Sequence, residues 1–270
     1  MLNVKKYKIK FDIGKIAFHI FGFLVLAFLA LPMIFSVLVS FSPNIFIGLP
    51  TIKTGLSLRW YSEFLSNPRW IMGLRNSITV GLMTTVISFL VGLSTAIAFN
   101  RYKFRNKATL NALVMTPVFI PAVVIGMSSL SFHHQIGLWG TTLSIAIAHS
   151  LWAIPLVIMV LQPTLASLDK SMEEAALGMG ASPLRVFFQV TLPLIMPGVL
   201  VSIMFAFIIS VNEFVMALFL AVPTTQTLPT IIWPNLRYSL TPVVAAASSV
   251  LLYLSVIVLG LAAKIFKVKI

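Results

Sequence analysis

The stretch EEAALGMGASPLRVFFQVTLPLIMPG, Glu173 to Gly198, is a polar interruption in a chain that is 59% hydrophobic and only 9% charged. Ser171 and Glu174 have the Ser-x-x-Glu spacing of a capping box, which predicts a helix starting near Met172. Gly180 can take the left-handed conformation that closes such a helix. Ser182 before Pro183 then reads as an N-cap with proline at the first helical position. That cap opens a second helix running through LRVFFQV to Leu192-Pro193. Leu184, Phe187 and Phe188 would form one apolar face of it, with Arg185 and Gln189 pointing elsewhere. The local pattern is a compact helical knob, and its meaning depends on where the rest of the chain puts it.

The 270 residues include 21 Phe, 12 Met and only 6 acidic side chains, and the mean hydropathy is +1.03. That composition indicates an all-α integral membrane protein. A helix needs about 20 apolar residues to cross a hydrocarbon core of roughly 30 Å. Six segments qualify, at approximately 16–41, 76–99, 108–131, 140–163, 193–220 and 239–263. The first could be mistaken for a signal peptide, but its apolar run is too long and no small-residue cleavage site follows, so it reads as an uncleaved span. The absence of cysteine excludes a disulfide scaffold and thiolate metal sites.

Basic residues orient the six spans. Lys5, Lys6, Lys8, Lys10, Lys15, Arg101, Lys103, Arg105, Lys107, Lys170, Arg185, Lys264, Lys267 and Lys269 fall on one side if the spans alternate. Lys53, Arg59, Arg69, Arg75 and Arg237 fall on the other. The positive-inside rule therefore predicts that both termini, and the knob with them, are cytoplasmic. The net charge of +13 is then a topology signal, and nucleic acid is not implied.

On the external side, Trp60, Tyr61 and Trp70 in the segment Ser42 to Arg75 suggest an interfacial aromatic belt. His133 and His134 are adjacent, without the i, i+4 spacing that puts two metal ligands on one helical face, and are expected wet at the membrane edge. The prolines of AVPTTQTLPTIIWPNLRYSLTP, between the last two spans, predict an irregular, gate-like loop. No nucleotide-binding GxxxxGK[ST], no HExxH and no GxSxG occurs, so no catalytic, cofactor-binding or metal residue is assigned. A membrane enzyme is disfavoured on those grounds; a passive channel or exporter would leave the knob without a purpose.

Glu213 is the single acidic residue inside any span. An ionisable group at depth is costly and normally faces a pore or a partner. Counted from Pro197 it lies about 24 Å along the fifth span at 1.5 Å per residue, in the outer half. Two roles stay open. Its carboxylate attracts a cationic amine, with Asn212 beside it and Trp233 or Tyr238 adding cation–π contacts, or it serves as interhelical glue.

The spacing of the knob adds a resemblance. Glu174-Ala175-Ala176, three residues, Gly180, nine residues, then Val190-Thr191-Leu192-Pro193 resembles the EAA---G---------I-LP signature of ABC importer permeases, with Val190 in the isoleucine position. The resemblance implies a type-I importer transmembrane core over 72–264 with a coupling loop at about 169–192. Residues 1–71 hold the tail, the extra first span and the external segment, and 265–270 a short tail. It implies that Glu173, Glu174, Ala175, Ala176, Gly180, Ala181, Ser182, Leu192 and Pro193 belong to the surface that docks on a cytoplasmic ATPase. The implied partners are a second permease, forming a homodimer or heterodimer with this one, two ATPase subunits that bind ATP and magnesium, and an external solute-binding protein, all in a bacterial inner membrane. A similar but non-identical second permease is expected, because the substrate-path acid here is single. The stretch from Ser210 to Leu252, with Asn212-Glu213 and Thr227-Leu228-Pro229, resembles the spermidine/putrescine branch, which makes a polyamine the expected substrate. Ferric-iron, sulfate, phosphonate and opine importers are related.

Overall fold

The computed structural model describes residues 13–238 and 241–265, and every regular element among them is helical. Lys5, Lys6, Lys8, Lys10, Lys267 and Lys269 of the charge count lie outside these residues. The helices are α1 (Ile13–Ser40), α2 (Arg59–Ser66), α3 (Pro68–Arg101), α4 (Lys107–Met115), α5 (Ala122–Gln135), α6 (Thr142–Ala166), α7 (Lys170–Gly178), α8 (Pro183–Val186), α9 (Leu192–Asn212), α10 (Val215–Leu220), α11 (Leu228–Tyr238) and α12 (Val243–Ile265). Among the described residues five helices are long and apolar enough to cross a membrane, and a bent pair makes six when it is taken as one span.

The centre is a bundle of α3, α6 and α9. Its helices approach closely because small residues face large ones, as expected where lipid offers no hydrophobic drive to association. A Cβ at Gly92 of α3 would lie 2.6 Å from Cγ1 of Val157 on α6. One at Gly198 of α9 would lie 2.5 Å from Oγ1 of Thr164, also on α6. Helix α1 lies outside against α12, and its Phe18, Phe21, Phe23 and Phe28 are exposed, an apolar surface for lipid or another chain.

Three expectations need correction. The third span is not straight: α4 and a short 3-10 turn, Thr116–Phe119, are followed by α5 at an angle of 98°. Pro121 causes the break, since proline disfavours a helical conformation in the preceding residue, and Ile120 is extended. The fifth span is both longer and shorter than 193–220. It runs unbroken from Pro183 to Asn212, then stops at an extended Glu213 before α10 restarts. The supposed irregular loop before the last span holds α11, with Pro229 near its start and Pro234 inside it.

Two aromatic expectations also change. Trp60 and Trp70 are not an interfacial belt; they are 3% and 5% exposed, packed with Phe64, Leu228, Ile231 and Val243. The indole of Trp60 donates to the Ser42 carbonyl at 2.7 Å, and Tyr61 bridges Ser40 and Tyr253. His133 is likewise buried, its Nδ1 2.7 Å from Oγ of Ser144 in the first turn of α6.

Candidate functional site

The knob is built by local hydrogen bonds. Asp169, not Ser171, caps α7: its Oδ1 accepts from the Ser171 amide at 2.9 Å, and that bond holds the Asp169 carboxyl below its usual range. The expected box between Ser171 and Glu174 is therefore replaced by a cap two residues earlier. At the other end the Ala181 amide donates to the Ala176 carbonyl at 3.1 Å and the Gly180 amide to Leu177 at 2.9 Å. With Gly180 at φ +84°, these two bonds make a Schellman closure. Ser182 caps α8 as expected, accepting from the Arg185 amide at 3.4 Å, with Pro183 at the first position.

From α8 the chain enters α9 through one π turn, Phe187–Thr191. Pro193 explains the wide turn. It has no N–H for the Gln189 carbonyl, and its ring would clash with that group in a regular α-helix. The expected apolar face of the second helix divides: Leu184 and Phe188 are 72% and 60% exposed, whereas Val186 is buried and Phe187 half-buried.

The two glutamates point in different directions. Glu173 turns toward the bundle, pairing with Arg101 at the last turn of α3 and accepting from Thr191 Oγ1. Arg101 Nη2 also reaches Thr191 Oγ1 at 3.1 Å. Glu174 is exposed, as are Ala175, Gly180, Ser182 and Pro193; Ala176 is buried, and Ala181 and Leu192 are half-buried. Met172, Leu177 and Met179 complete an exposed apolar rim.

The second site is the break between α9 and α10. Glu213 is 7% exposed. Its carboxylate accepts from the amides of Val215, at 2.9 Å, Met216, at 2.9 Å, and Ala217, at 3.3 Å, so it caps α10. Its Oε2 lies 3.2 Å from Nε2 of His149 on α6. A buried chain continues from there: His149 Nδ1 meets Ser210 Oγ at 2.8 Å, Ser210 donates to Thr84 Oγ1 at 3.0 Å, and Thr84 donates to the Ala146 carbonyl at 3.3 Å. The remaining face of Glu213 borders a recess of about 440 Å³ shared with Trp152, Phe214, Asn212 and Ala122.

Asn212 and Trp233 share a different recess, of about 620 Å³, with Phe214, Ser255 and Leu251. Trp233 lies 5.3 Å from the Phe214 ring, and Asn212 donates to the Ile208 carbonyl at 2.8 Å. Tyr238 is 79% exposed beside Arg237 and borders neither recess. The sequence reading gave no site role to Arg101, Thr191, His149, Ser210 or Trp152. Of these His149 carried a signal, as the single ionisable side chain of the span 142–166.

Residues 88–268 match the family described as "Binding-protein-dependent transport system inner membrane component". The chain belongs to this family. It is 32% identical over 233 residues to the putrescine transport system permease protein PotI of Escherichia coli (strain K12), covering 83% of this chain and 82% of that one. It is 28% identical to the spermidine/putrescine transport system permease protein PotC of the same strain, covering 86% and 87%. In fold it is similar to a chain of a bacterial ABC transporter involved in the import of the acidic polysaccharide alginate, with TM-score 0.72, 18% identity and 96% and 98% coverage. The chain is thus a multi-pass permease subunit of an ABC importer, with the type-I transmembrane fold expected from the signature around Glu174.

Proposed function

We propose that this permease is one half of the translocation path of a polyamine importer in a bacterial inner membrane. The observation that carries the substrate is the similarity to putrescine and spermidine/putrescine permeases over more than four-fifths of the chain. The site is compatible in chemistry. Glu213 and Trp152 give the recess at the α9–α10 break a carboxylate and an aromatic wall, the pairing that suits a protonated amine. Asn212 and Trp233 line the neighbouring recess, and Tyr238 takes no part in this reading.

In the same proposal α7 and α8 face the cytoplasm with both termini and dock in a cleft of an ATPase. A closed turn at Gly180, exposed Glu174 and an apolar rim of Met172, Leu177, Met179 and Leu184 suit a protein partner better than water. The partners are two ATPase subunits holding ATP and magnesium, a second and non-identical permease, and an external solute-binding protein. On this reading the nucleotide site lies in the ATPase subunits.

The test is uptake by the complete transporter in sealed vesicles with ATP inside. Labelled putrescine and spermidine are compared with an opine, a phosphonate, sulfate and ferric iron, each with its binding protein. ATP-dependent accumulation of polyamine alone is expected. Preference for any of the others overturns the substrate while leaving the importer class intact.

A further inference from the structure

We infer that Arg101, Glu173 and Thr191 form a transmission clamp that makes α7 drive α3 and α9 together. This rests on the proposed coupling role of the knob and goes beyond it by naming how motion leaves the knob.

The three residues come from three elements. Arg101 is the last residue of α3, Glu173 lies in the first turn of α7, and Thr191 ends the π turn at the root of α9. Glu173 binds both of the others, and Arg101 Nη2 lies 3.1 Å from Thr191 Oγ1, which closes the triangle. Thr191 is fully buried, and the Glu173 side chain is only 18% exposed. The charges also suit their helices. A cation at the C-terminal end of α3 and an anion at the N-terminal end of α7 each complement the local helix dipole.

Without the clamp α7 would be held by its packing on α8 and the π turn and by one chain connection at each end of the knob. After α6 the chain passes Ser167 and Leu168 to the Asp169 cap, and this turn is short but non-helical. On the other side α8 continues into α9 through the π turn, whose wider ring is a natural point of bending. A push on α7 would then be absorbed at these two points. Fixing Glu173 to Thr191 spans the π turn, and fixing it to Arg101 recruits α3, which packs along both α6 and α9. Two spans of the central bundle therefore move as one with the knob, the arrangement a lever needs to turn small shifts into a rearrangement of packed helices. The tie is charge-assisted and partly buried, so it tolerates less slack than an exposed ion pair.

The experiment uses the complete transporter in lipid nanodiscs or vesicles, with its ATPase subunits and binding protein, and reads ATP hydrolysed per polyamine taken up. Arg101→Gln and Glu173→Gln each break the clamp, Arg101→Lys keeps charge but loses the second contact, and the double variant Arg101→Glu with Glu173→Arg reverses the pair. Arg101→Gln, which lies outside the expected docking residues, should retain its ATPase subunits and most hydrolysis while uptake falls about tenfold, the scale of a typical coupling energy, and Glu173→Gln should lower uptake per ATP to the same extent. Arg101→Lys should fall between, and the reversed pair should recover part of the loss. Unchanged uptake per ATP in both Gln variants overturns the clamp. Loss of the ATPase subunits in Arg101→Gln also overturns it, because the pair would then shape the docking surface and transmit nothing. If the unaltered permease itself fails to retain ATPase subunits, the underlying coupling reading has failed instead.

Discussion

Glu213, just after α9, and His149, two turns into α6, face each other inside the bundle with Oε2 and Nε2 3.2 Å apart. The same carboxylate caps α10 through three amides, so one side chain fixes both the break in the span and its distance from α6. The polar chain on the far side of His149 reaches Thr84 of α3, joining all three central helices at one level. A buried network of this kind is costly to leave half-satisfied.

Glu213 should therefore show two separable effects. Glu213→Gln keeps size but removes charge, and Glu213→Asp keeps charge on a shorter stem. Gln keeps one acceptor oxygen and Asp draws both back from the amides, so the weakened cap should lower stability by up to about 1 kcal/mol in either case, visible as a reduced melting temperature in detergent. On the proposed substrate reading, Gln should also abolish most polyamine uptake with basal ATP hydrolysis preserved, while Asp keeps part of it. Near-normal uptake by Gln, with only the thermal shift, would return Glu213 to a purely structural role.

Close helix approach gives a prediction independent of substrate. Gly92→Leu must displace Val157 or separate α3 from α6, since even a Cβ would sit 2.6 Å from Cγ1. Overpacking of this kind costs about 1–3 kcal/mol, so detergent-solubilised protein should melt earlier and aggregate sooner. Gly178→Ala is the control, because nothing lies within 4 Å of its added Cβ. Similar melting of the two variants would remove the packing argument.

The apolar runs made the fold legible because a bilayer-spanning helix announces itself by length and composition alone. Its bends were less legible. A hydropathy window averages across Ile120-Pro121 and Asn212-Glu213, where one extended residue redirects the chain. Trp60 and Trp70 beside arginines look interfacial in sequence; their burial depends on α11, far along the chain, folding over them. The knob divides in the same way. Gly180 and Ser182 act on neighbours within five residues and were readable, whereas Asp169 and Ser171 are near-equivalent candidate caps two positions apart. Arg101 meets Glu173 across 72 residues and Thr191 across 90, and no local pattern encodes such a meeting.

Assembly offers a third prediction. One permease carries one knob, and a pair of ATPase subunits offers two docking clefts. The intact complex should contain two permease chains for each ATPase pair, measured as its native mass, with the second permease chain of a different mass from this one. A single permease chain per ATPase pair would contradict the proposal, and two identical chains would correct its heterodimer.

Gly180 provides the sharpest test of the docking surface, because its chemistry has two parts that can be pulled apart. Its φ of +84° is a backbone requirement, and the Schellman bonds from Gly180 and Ala181 depend on it. Its missing side chain is a spatial provision, and within this chain nothing occupies the space: no atom lies within 4 Å of an added Cβ. Valine offends both, costing roughly 1–2 kcal/mol for a left-handed residue and projecting a branched side chain from the turn. Asparagine tolerates the left-handed conformation and offends only the space. Gly180→Val should lose transport and ATPase association while still inserting. Gly180→Asn should keep the turn, seen as an unchanged melting temperature, yet still weaken association if a partner backbone approaches here. Full ATPase association and uptake by Asn would mean that the glycine serves the turn alone. Normal uptake by Val would remove this turn from the coupling surface altogether.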